Sequence, residues 1–156
     1  MAKIEEGKPA PAFSLPSSEG REISLDEFKN KKKIVLYFYP KDDTPGCTRE
    51  ACDLRDSIKK LEKEDAVVLG VSKDGLDSHE AFIKKHKLPF TLLSDEDKAV
   101  IKKYGVWKEK SLYGKKFMGI ERTTVLIDKK GVIRRVFPKV KVDGHAGEVL
   151  EALAGI

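Results

Sequence analysis

The chain has 156 residues, a length at which one domain buries roughly 70% of the surface that the unfolded chain exposes. Its hydrophobic content of 40% excludes an intrinsically disordered protein. No apolar run approaches the ~20 residues of a transmembrane helix, and "MAKIEEGKPAPAF" has acidic residues and no apolar leader. We therefore expect a single domain over residues 1–156, located in the cytoplasm and without a membrane partner.

The net charge of +5 raises the question of nucleic-acid binding. Basic residues are spread along the chain beside acidic neighbours, as in "KKLEKED" and "DEDKAVIKK", and no basic strip is interleaved with aromatic residues. Such spacing is typical of a solvated surface, so we expect no nucleic-acid partner. A basic binding protein with structural cysteines remains the alternative outside the enzymes.

Apolar, β-rich runs alternate with helical patterns along most of the chain. Residues 10–28 predict a short strand, a turn, a second short strand and a brief helix. The expected later strands are 34–39, 66–71 and 90–94, followed by a hairpin of 123–128 and 132–137. The expected helices are 45–63, 77–87, 95–105 and 144–156.

This order of elements predicts an α/β fold with a mixed central sheet. Strands that alternate with helices pair in parallel, with helices on both faces of the sheet. The late hairpin, with Gly131 in its turn, adds antiparallel strands. The layout is that of a thioredoxin-like fold, although periodicity alone leaves other α/β sandwiches open.

Both cysteines lie in "YFYPKDDTPGCTREAC", directly after an expected buried strand. Thr44 is a good helix N-cap and Pro45 suits the first helical position, which places Cys47 at the third. Unpaired backbone N–H groups and the positive end of the helix dipole stabilise a thiolate there. We therefore expect a reactive Cys47, with its pKa lowered from ~8.5 into the range ~3.5–7.5.

Cys52 follows on the same expected helix, five positions after Cys47. Helical residues at that spacing are roughly 8–9 Å apart and point about 140° away from each other. A disulfide needs Cα atoms within about 7 Å and facing Cβ vectors. A bond between these two cysteines therefore requires the first turns of the helix to unwind.

The position and spacing of the two cysteines leave other roles for them open. Free cysteines are commonly buried as structural residues. A zinc site is disfavoured, because C-x₄-C stands without a second pair and His79, His86 and His145 lack motif spacing. A structural disulfide is disfavoured by the cytosolic redox state and by the helix geometry. We expect no bound metal.

The segment "YPKDDTPGCTREAC" resembles the active-site segment of peroxiredoxins. Pro40, Thr44 and Cys47 match that family's pattern of a proline, three residues, a threonine or serine, two residues and a cysteine. The second cysteine is similar to that of the bacterioferritin comigratory protein, or peroxiredoxin Q, subgroup. The resemblance extends over nearly the whole chain, through "GKPAPAFSLPSSEG", "VVLGVSKD", "PFTLLSD" and "ERTTVLID".

The resemblance implies a role for each of five residues. Cys47 would be the peroxidatic nucleophile and Cys52 the resolving cysteine. Thr44 would hydrogen-bond the thiolate and the incoming peroxide, and Pro40 would shield the sulfur from solvent. Arg122 matches the family's active-site arginine. From the residues alone, a surface ion pair, a helix cap and a strand end would equally explain the arginine, the threonine and the proline.

The resemblance also implies the reaction. A thiol-dependent peroxidase would reduce hydrogen peroxide and organic hydroperoxides through a sulfenic acid on Cys47. Cys52 would then form an intramolecular disulfide, and a thioredoxin-like dithiol protein would regenerate the enzyme. No metal or organic cofactor is needed, and we expect a monomer. The alternative enzyme is a thioredoxin-type disulfide oxidoreductase, which normally carries C-x-x-C at a helix start.

Overall fold

A computed structural model of the chain describes residues 4–156, so residues 1–3 of the expected domain lie outside the described residues. Its centre is a five-stranded sheet in the order β5–β4–β3–β8–β9. These strands are β3 (Lys33–Phe38), β4 (Ala66–Ser72), β5 (Thr91–Ser94), β8 (Thr123–Ile127) and β9 (Ile133–Phe137). The remaining strands are β1 (Ser14–Pro16), β2 (Glu22–Ser24), β6 (Trp107–Leu112) and β7 (Lys115–Ile120).

The helices are arranged between and after these strands. They are a 3₁₀ helix (Leu25–Phe28), α1 (Pro45–Asp56), α2 (Ile58–Lys63), α3 (Leu76–His86), α4 (Ala99–Lys103) and α5 (His145–Ala154). Across residues 4–156, every helix is too short or too polar to cross a bilayer.

The direction of the strands follows from their connections. β3, β4 and β5 are parallel, because the helices α1, α2 and α3 carry the chain back between them. β8 pairs antiparallel with β3, and β9 pairs antiparallel with β8. The expected mixed sheet with a late hairpin is therefore confirmed.

Side chains of β3 supply the core on both faces of the sheet, because successive strand residues point to opposite sides. One face is packed by the 3₁₀ helix, α4 and the β1–β2 pair, and the other by α1, α2, α3 and α5. The residues on the first face are Ile34, Leu36 and Phe38, and those on the second are Val35, Tyr37 and Tyr39. Helices on both faces are thus confirmed.

Two expected helices are shorter in the structure. The helix expected over 45–63 divides at Ser57, whose backbone N–H bonds the Leu54 carbonyl in a tighter turn, since serine favours helix ends over helix interiors. The helix expected over 95–105 begins only at Ala99. Lys98 adopts a left-handed φ of 65°, and Asp95 accepts a hydrogen bond from the backbone of Ile101.

The β6–β7 hairpin is an addition that the sequence reasoning missed. Its strands are rich in lysine and do not alternate clearly between apolar and polar residues. The available signal was the two-residue turn of Tyr113 and Gly114, which both have positive φ (51° and 77°). Such a turn, ending in glycine, is typical of a tight β-hairpin.

Candidate active site

Cys47 lies where the helix-start prediction placed it. α1 begins at Pro45 after the extended residue Thr44, and the first helical bond runs from the Thr48 N–H to the Thr44 carbonyl at 2.8 Å. Cys47 is therefore in the first turn, and only 1% of its surface is exposed. It belongs to the apolar cluster on the second face of the sheet.

The expected contact of Thr44 with the sulfur is not formed in this structure. The Thr44 hydroxyl instead donates to the carbonyl oxygen of Lys41 at 2.9 Å, and it makes no capping bond to the helix. The chain turns between these two residues, which brings the Lys41 carbonyl within reach of the hydroxyl. The Thr44 oxygen still has lone pairs with which to accept a hydrogen bond.

Arg122 lies against the cysteine, as expected. It directly precedes β8, and its Nη2 lies 3.4 Å from Cys47 Sγ. Its Nη1 donates to Glu50 Oε1 at 2.7 Å. Gly46 makes room for this approach, because a Cβ there would lie 3.1 Å from Arg122 Nη2. The guanidinium thus bridges the sulfur and a carboxylate of the same helix.

Glu50 is a site residue that sequence reasoning missed. It lies one helical turn after Cys47, and its side chain is 2% exposed. Burial is the main cause that raises the pKa of Glu50 to about 7, against an opposing effect of Arg122. The available signal was an acidic residue on the helix face that also carries the apolar residues Ala51 and Leu54.

The floor beneath the cysteine is aromatic. Tyr37 is buried, stacks on Tyr39 with ring centroids 5.3 Å apart, and contacts Phe90 edge-on. Its ring fits because its partner across the sheet is Gly70, where a Cβ would lie 2.9 Å from the ring. Burial raises the pKa of Tyr37 well above its ordinary value, so its hydroxyl stays neutral.

The two cysteines are not joined in this structure. Both are free, and α1 is continuous through both of them. Cys52 is half-buried and lies about 1.4 helical turns after Cys47 on an intact helix, which agrees with the argument that the helix separates the two sulfurs. Pro40 follows Tyr39 beyond the end of β3 and is also half-buried.

A buried hydrogen-bond network anchors the loop between β3 and α1. The Asp42 carboxylate accepts bonds from the hydroxyls of Tyr39 (2.5 Å) and Ser78 (2.8 Å). His79 Nδ1 lies 2.7 Å from the same carboxylate, and Nε2 lies 2.9 Å from the Leu93 carbonyl oxygen. Because that carbonyl only accepts, Nε2 donates to it, and Nδ1 faces the Asp42 carboxylate.

Asp74 adds a second carboxylate to this network. Ligand atoms of Asp42, Asp74 and His79 lie within 4.8 Å of one another, a grouping that sequence spacing did not reveal. Asp74 Oδ2 already accepts bonds from the Asp42 N–H (2.8 Å) and the Ser72 hydroxyl (2.7 Å). Both nitrogens of His79 also take part in hydrogen bonds. Hydrogen bonding within the protein therefore explains why these three side chains lie together, and the cluster anchors the loop.

Asp43 extends the attachment of this loop to α3. It accepts a hydrogen bond from Lys85 Nζ at 2.7 Å and lies 3.2 Å from His86 Nε2. The bond from Lys85 is the main cause that lowers the pKa of Asp43. α3 therefore holds the loop in place, and the loop leads in the chain directly into α1 and Cys47.

Known proteins are similar to this chain over nearly its full length. Residues 7–136 match the AhpC/TSA family. A Coxiella burnetii relative of the peroxiredoxin Bcp type is 58% identical over 96% of this chain and 99% of its own. Peroxiredoxin Bcp of Bacillus subtilis is 49% identical over 96% of this chain and 95% of its own.

A solved structure is also similar to this chain. It is the bacterioferritin comigratory protein of Xanthomonas campestris, studied as a trapped intermediate/ligand complex for its alkyl peroxide reduction activity. It superposes with a TM-score of 0.86 at 41% identity, over 92% of this chain and 90% of that one. The expected thioredoxin-like fold is confirmed by this likeness.

A buried cysteine at a helix start, covered by an arginine on a thioredoxin-like sheet, defines a thiol-dependent peroxidase. The chain belongs to the AhpC/TSA family, and its relatives are peroxiredoxins of the Bcp type. The resemblance stated from the sequence is therefore confirmed.

Proposed function

We propose that Cys47 is the peroxidatic nucleophile and that Arg122 directs its reaction. The thiolate attacks the terminal oxygen of a hydroperoxide, so an S–O bond forms and the O–O bond breaks. The alkoxide or hydroxide that leaves takes up a proton, and Cys47 becomes a sulfenic acid. The observation that carries this proposal is the contact of 3.4 Å between Arg122 Nη2 and Cys47 Sγ at the start of α1.

Thr44 and Pro40 complete the peroxide site in this proposal. The Thr44 hydroxyl donates its proton to Lys41, so its oxygen is available to accept the O–H of the hydroperoxide. Pro40 ends the strand beneath the site and limits access of water to the sulfur. Positioning matters here because a peroxide offers little surface to bind.

The second step of the proposed cycle joins the two cysteines. The first turns of α1 unwind, and the Cys52 thiol attacks the Cys47 sulfenic acid. The disulfide forms with release of one water molecule. The intact helix with free thiols supports this order, because the bond is impossible until the helix opens.

A dithiol protein of the thioredoxin type then reduces the disulfide by exchange. Since both thiols must be restored in every cycle, the enzyme belongs in a reducing compartment, which favours the cytoplasm. An intramolecular resolving cysteine needs no second subunit, which favours a monomer. The substrate class includes alkyl hydroperoxides as well as hydrogen peroxide, by analogy with the Xanthomonas campestris relative.

Mass spectrometry of the intact chain tests both steps. After one equivalent of hydrogen peroxide, we expect the native chain to lose two hydrogen atoms as the Cys47–Cys52 bond forms. A Cys52→Ser variant should gain one oxygen atom at Cys47. A Cys47→Ser variant is the control and should keep its remaining thiol. Unmodified thiols in the first two proteins would contradict the proposal.

A further inference from the structure

The β6–β7 hairpin has two chemically different faces. Residues directly opposite in an antiparallel pair lie on the same face of the ribbon. On one face, Lys108, Lys110 and Leu112 oppose Gly119, Phe117 and Lys115. On the other face, Trp107, Glu109 and Ser111 oppose Ile120, Met118 and Lys116. We call the first the lysine face and the second the tryptophan face.

The lysine face belongs to the hairpin whose second strand leads directly to Arg122. The side chain of Lys110 folds back over Gly119, with Cδ 3.3 Å from where a Cβ would be, and the Phe117 ring lies 3.6 Å from the same point. Gly119 lies at the base of the hairpin, three residues before Arg122. Partial burial is the main cause that lowers the pKa of Lys110; the Arg122 charge adds to the effect, and the charges of Cys47 and Glu121 oppose it. Gly119 places the base of the lysine face three residues from the arginine that contacts the Cys47 sulfur.

The two faces also differ in charge. On the tryptophan face, Lys116 pairs with Glu109 at 3.7 Å, and Trp107 and Ile120 pack into the protein. On the lysine face, Lys108, Lys110 and Lys115 form no salt bridge within residues 4–156. That face therefore presents three lysines without an ion-pair partner among the described residues.

Exposed apolar side chains lie among these charges. Leu112 is 57% exposed and Phe117 is 46% exposed, and Tyr113 at the turn is 96% exposed. Large apolar side chains left in solvent beside charges of one sign are typical of a protein-interaction surface. The tryptophan face contributes only Met118 to the exposed large apolar residues.

We propose that the lysine face is the docking surface for the dithiol protein that reduces the enzyme. The partner would carry apolar residues around its reactive disulfide and carboxylates at the edge of that surface. Charge complementarity would guide the encounter, and the apolar contact with Leu112 and Phe117 would hold it. This inference rests on the proposed reductive cycle, in which a partner must reach a disulfide formed beside Arg122.

The test compares two matched double variants of the hairpin. Lys115→Glu with Phe117→Ser changes the lysine face, and Lys116→Glu with Met118→Ser makes the same kind of change on the tryptophan face. The probe is a bacterial thioredoxin kept reduced by NADPH and thioredoxin reductase, and dithiothreitol is the small reductant for comparison. Each protein is measured with hydrogen peroxide under both reductants.

For each protein we compare kcat/KM for thioredoxin with the turnover that dithiothreitol supports. In the lysine-face variant, we expect the ratio of these two values to fall at least tenfold below that of the native protein. The tryptophan-face variant should change this ratio less than twofold. In the native protein, kcat/KM for thioredoxin should also fall as ionic strength rises, because exposed charges are screened. In the lysine-face variant this salt dependence should be weaker.

Several outcomes would overturn the docking surface. One is an equal ratio in all three proteins; another is a dimer of the native chain, detected by sedimentation, that the lysine-face variant loses. A third is a lysine-face variant that loses activity with cumene hydroperoxide but not with hydrogen peroxide when dithiothreitol is the reductant. That result would assign the face to substrate binding. Absence of peroxide turnover with dithiothreitol in the native protein would instead refute the proposed function itself.

Discussion

Arg122 contacts two groups that carry or can carry negative charge, and both belong to α1. One is the sulfur of Cys47 and the other is the buried carboxyl of Glu50. Because the guanidinium has donors on both sides, it can hold the carboxyl with one nitrogen and the sulfur with the other. The position of the arginine thus depends on a side chain that does not touch the sulfur.

A Gly46→Ala substitution should displace this arginine. The new Cβ would lie 3.1 Å from Arg122 Nη2, a tight contact that requires the guanidinium to move by a few tenths of an ångström beside the sulfur. Loss of a charge-assisted contact with the thiolate should lower the second-order rate constant with hydrogen peroxide roughly tenfold. Stopped-flow measurement checks this. Gly147→Ala in α5 meets no atom within 4 Å and should leave the rate unchanged.

Glu50 should make the stability of the protein depend on pH. Its pKa is about 7 in the folded state against an ordinary 4.5, so between these values the folded state holds a proton that the unfolded state releases. The stabilisation is complete below about pH 4.5 and is lost as the pH rises through about 7. The full difference is roughly 3 kcal/mol.

Urea unfolding of the native chain and of Glu50→Gln measures this contribution. The difference between their free energies of unfolding should change by the stated amount from about pH 4.5 to about pH 8. Two parallel pH profiles would show that Glu50 does not titrate in this range.

At the scale of elements, the loop between β3 and α1 is anchored, whereas the start of α1 that follows it unwinds in the proposed cycle. Asp42 ties the loop to α3 and β5 through His79, whereas Thr44 makes only a local bond to Lys41. Unwinding of α1 is therefore expected to begin after the anchored part of the loop and to leave β3 in place.

His79→Asn should loosen this anchor. The shorter side chain cannot span from Asp42 to the Leu93 carbonyl, so a buried carboxyl loses one of its three partners at a cost of roughly 3 kcal/mol. Hydrogen exchange of the amides in residues 39–47 should become faster, and sulfenic acid formation slower. The matched control is His86→Asn, since His86 contacts the same loop through the exposed Asp43. That change should cost no more than about 1 kcal/mol.

At the scale of the whole molecule, the two apolar clusters share the central sheet. Neighbouring residues of β3, such as Val35 and Leu36, belong to opposite clusters. A substitution that destabilises one cluster should therefore also destabilise the other. We propose that the chain unfolds as one cooperative domain.

Leu153→Ala tests this cooperativity. Leu153 is fully buried in α5 on the second face, and its truncation should cost roughly 3 kcal/mol. Trp107, the single tryptophan, packs against the first cluster. Its fluorescence transition should shift together with the far-UV circular dichroism transition. A fluorescence midpoint that did not move would indicate two independent units. The exposed change Glu151→Ala should shift neither transition.

The central sheet and the start of α1 could be predicted because their signals are local. The buried strands β3 and β4 are continuous apolar runs, and Pro45 marks the first residue of the helix. The β6–β7 hairpin was missed because its outer residues remain in solvent and give no apolar pattern. The hydroxyl direction of Thr44 could not be predicted from the sequence, because its acceptor, the Lys41 carbonyl, is placed by the fold of the loop.

The sequence by itself predicted Cys47 as the nucleophile, and it determined the place of Cys47 in the first turn of a helix and the separation of the two cysteines. Each of these depends on residues that are close together in the chain. Only the tertiary structure decided that Glu50 holds Arg122 across 72 positions, that His79 anchors Asp42, and that three lysines of β6 and β7 share one face of a hairpin. Such contacts depend on how distant segments pack, and no local spacing encodes them.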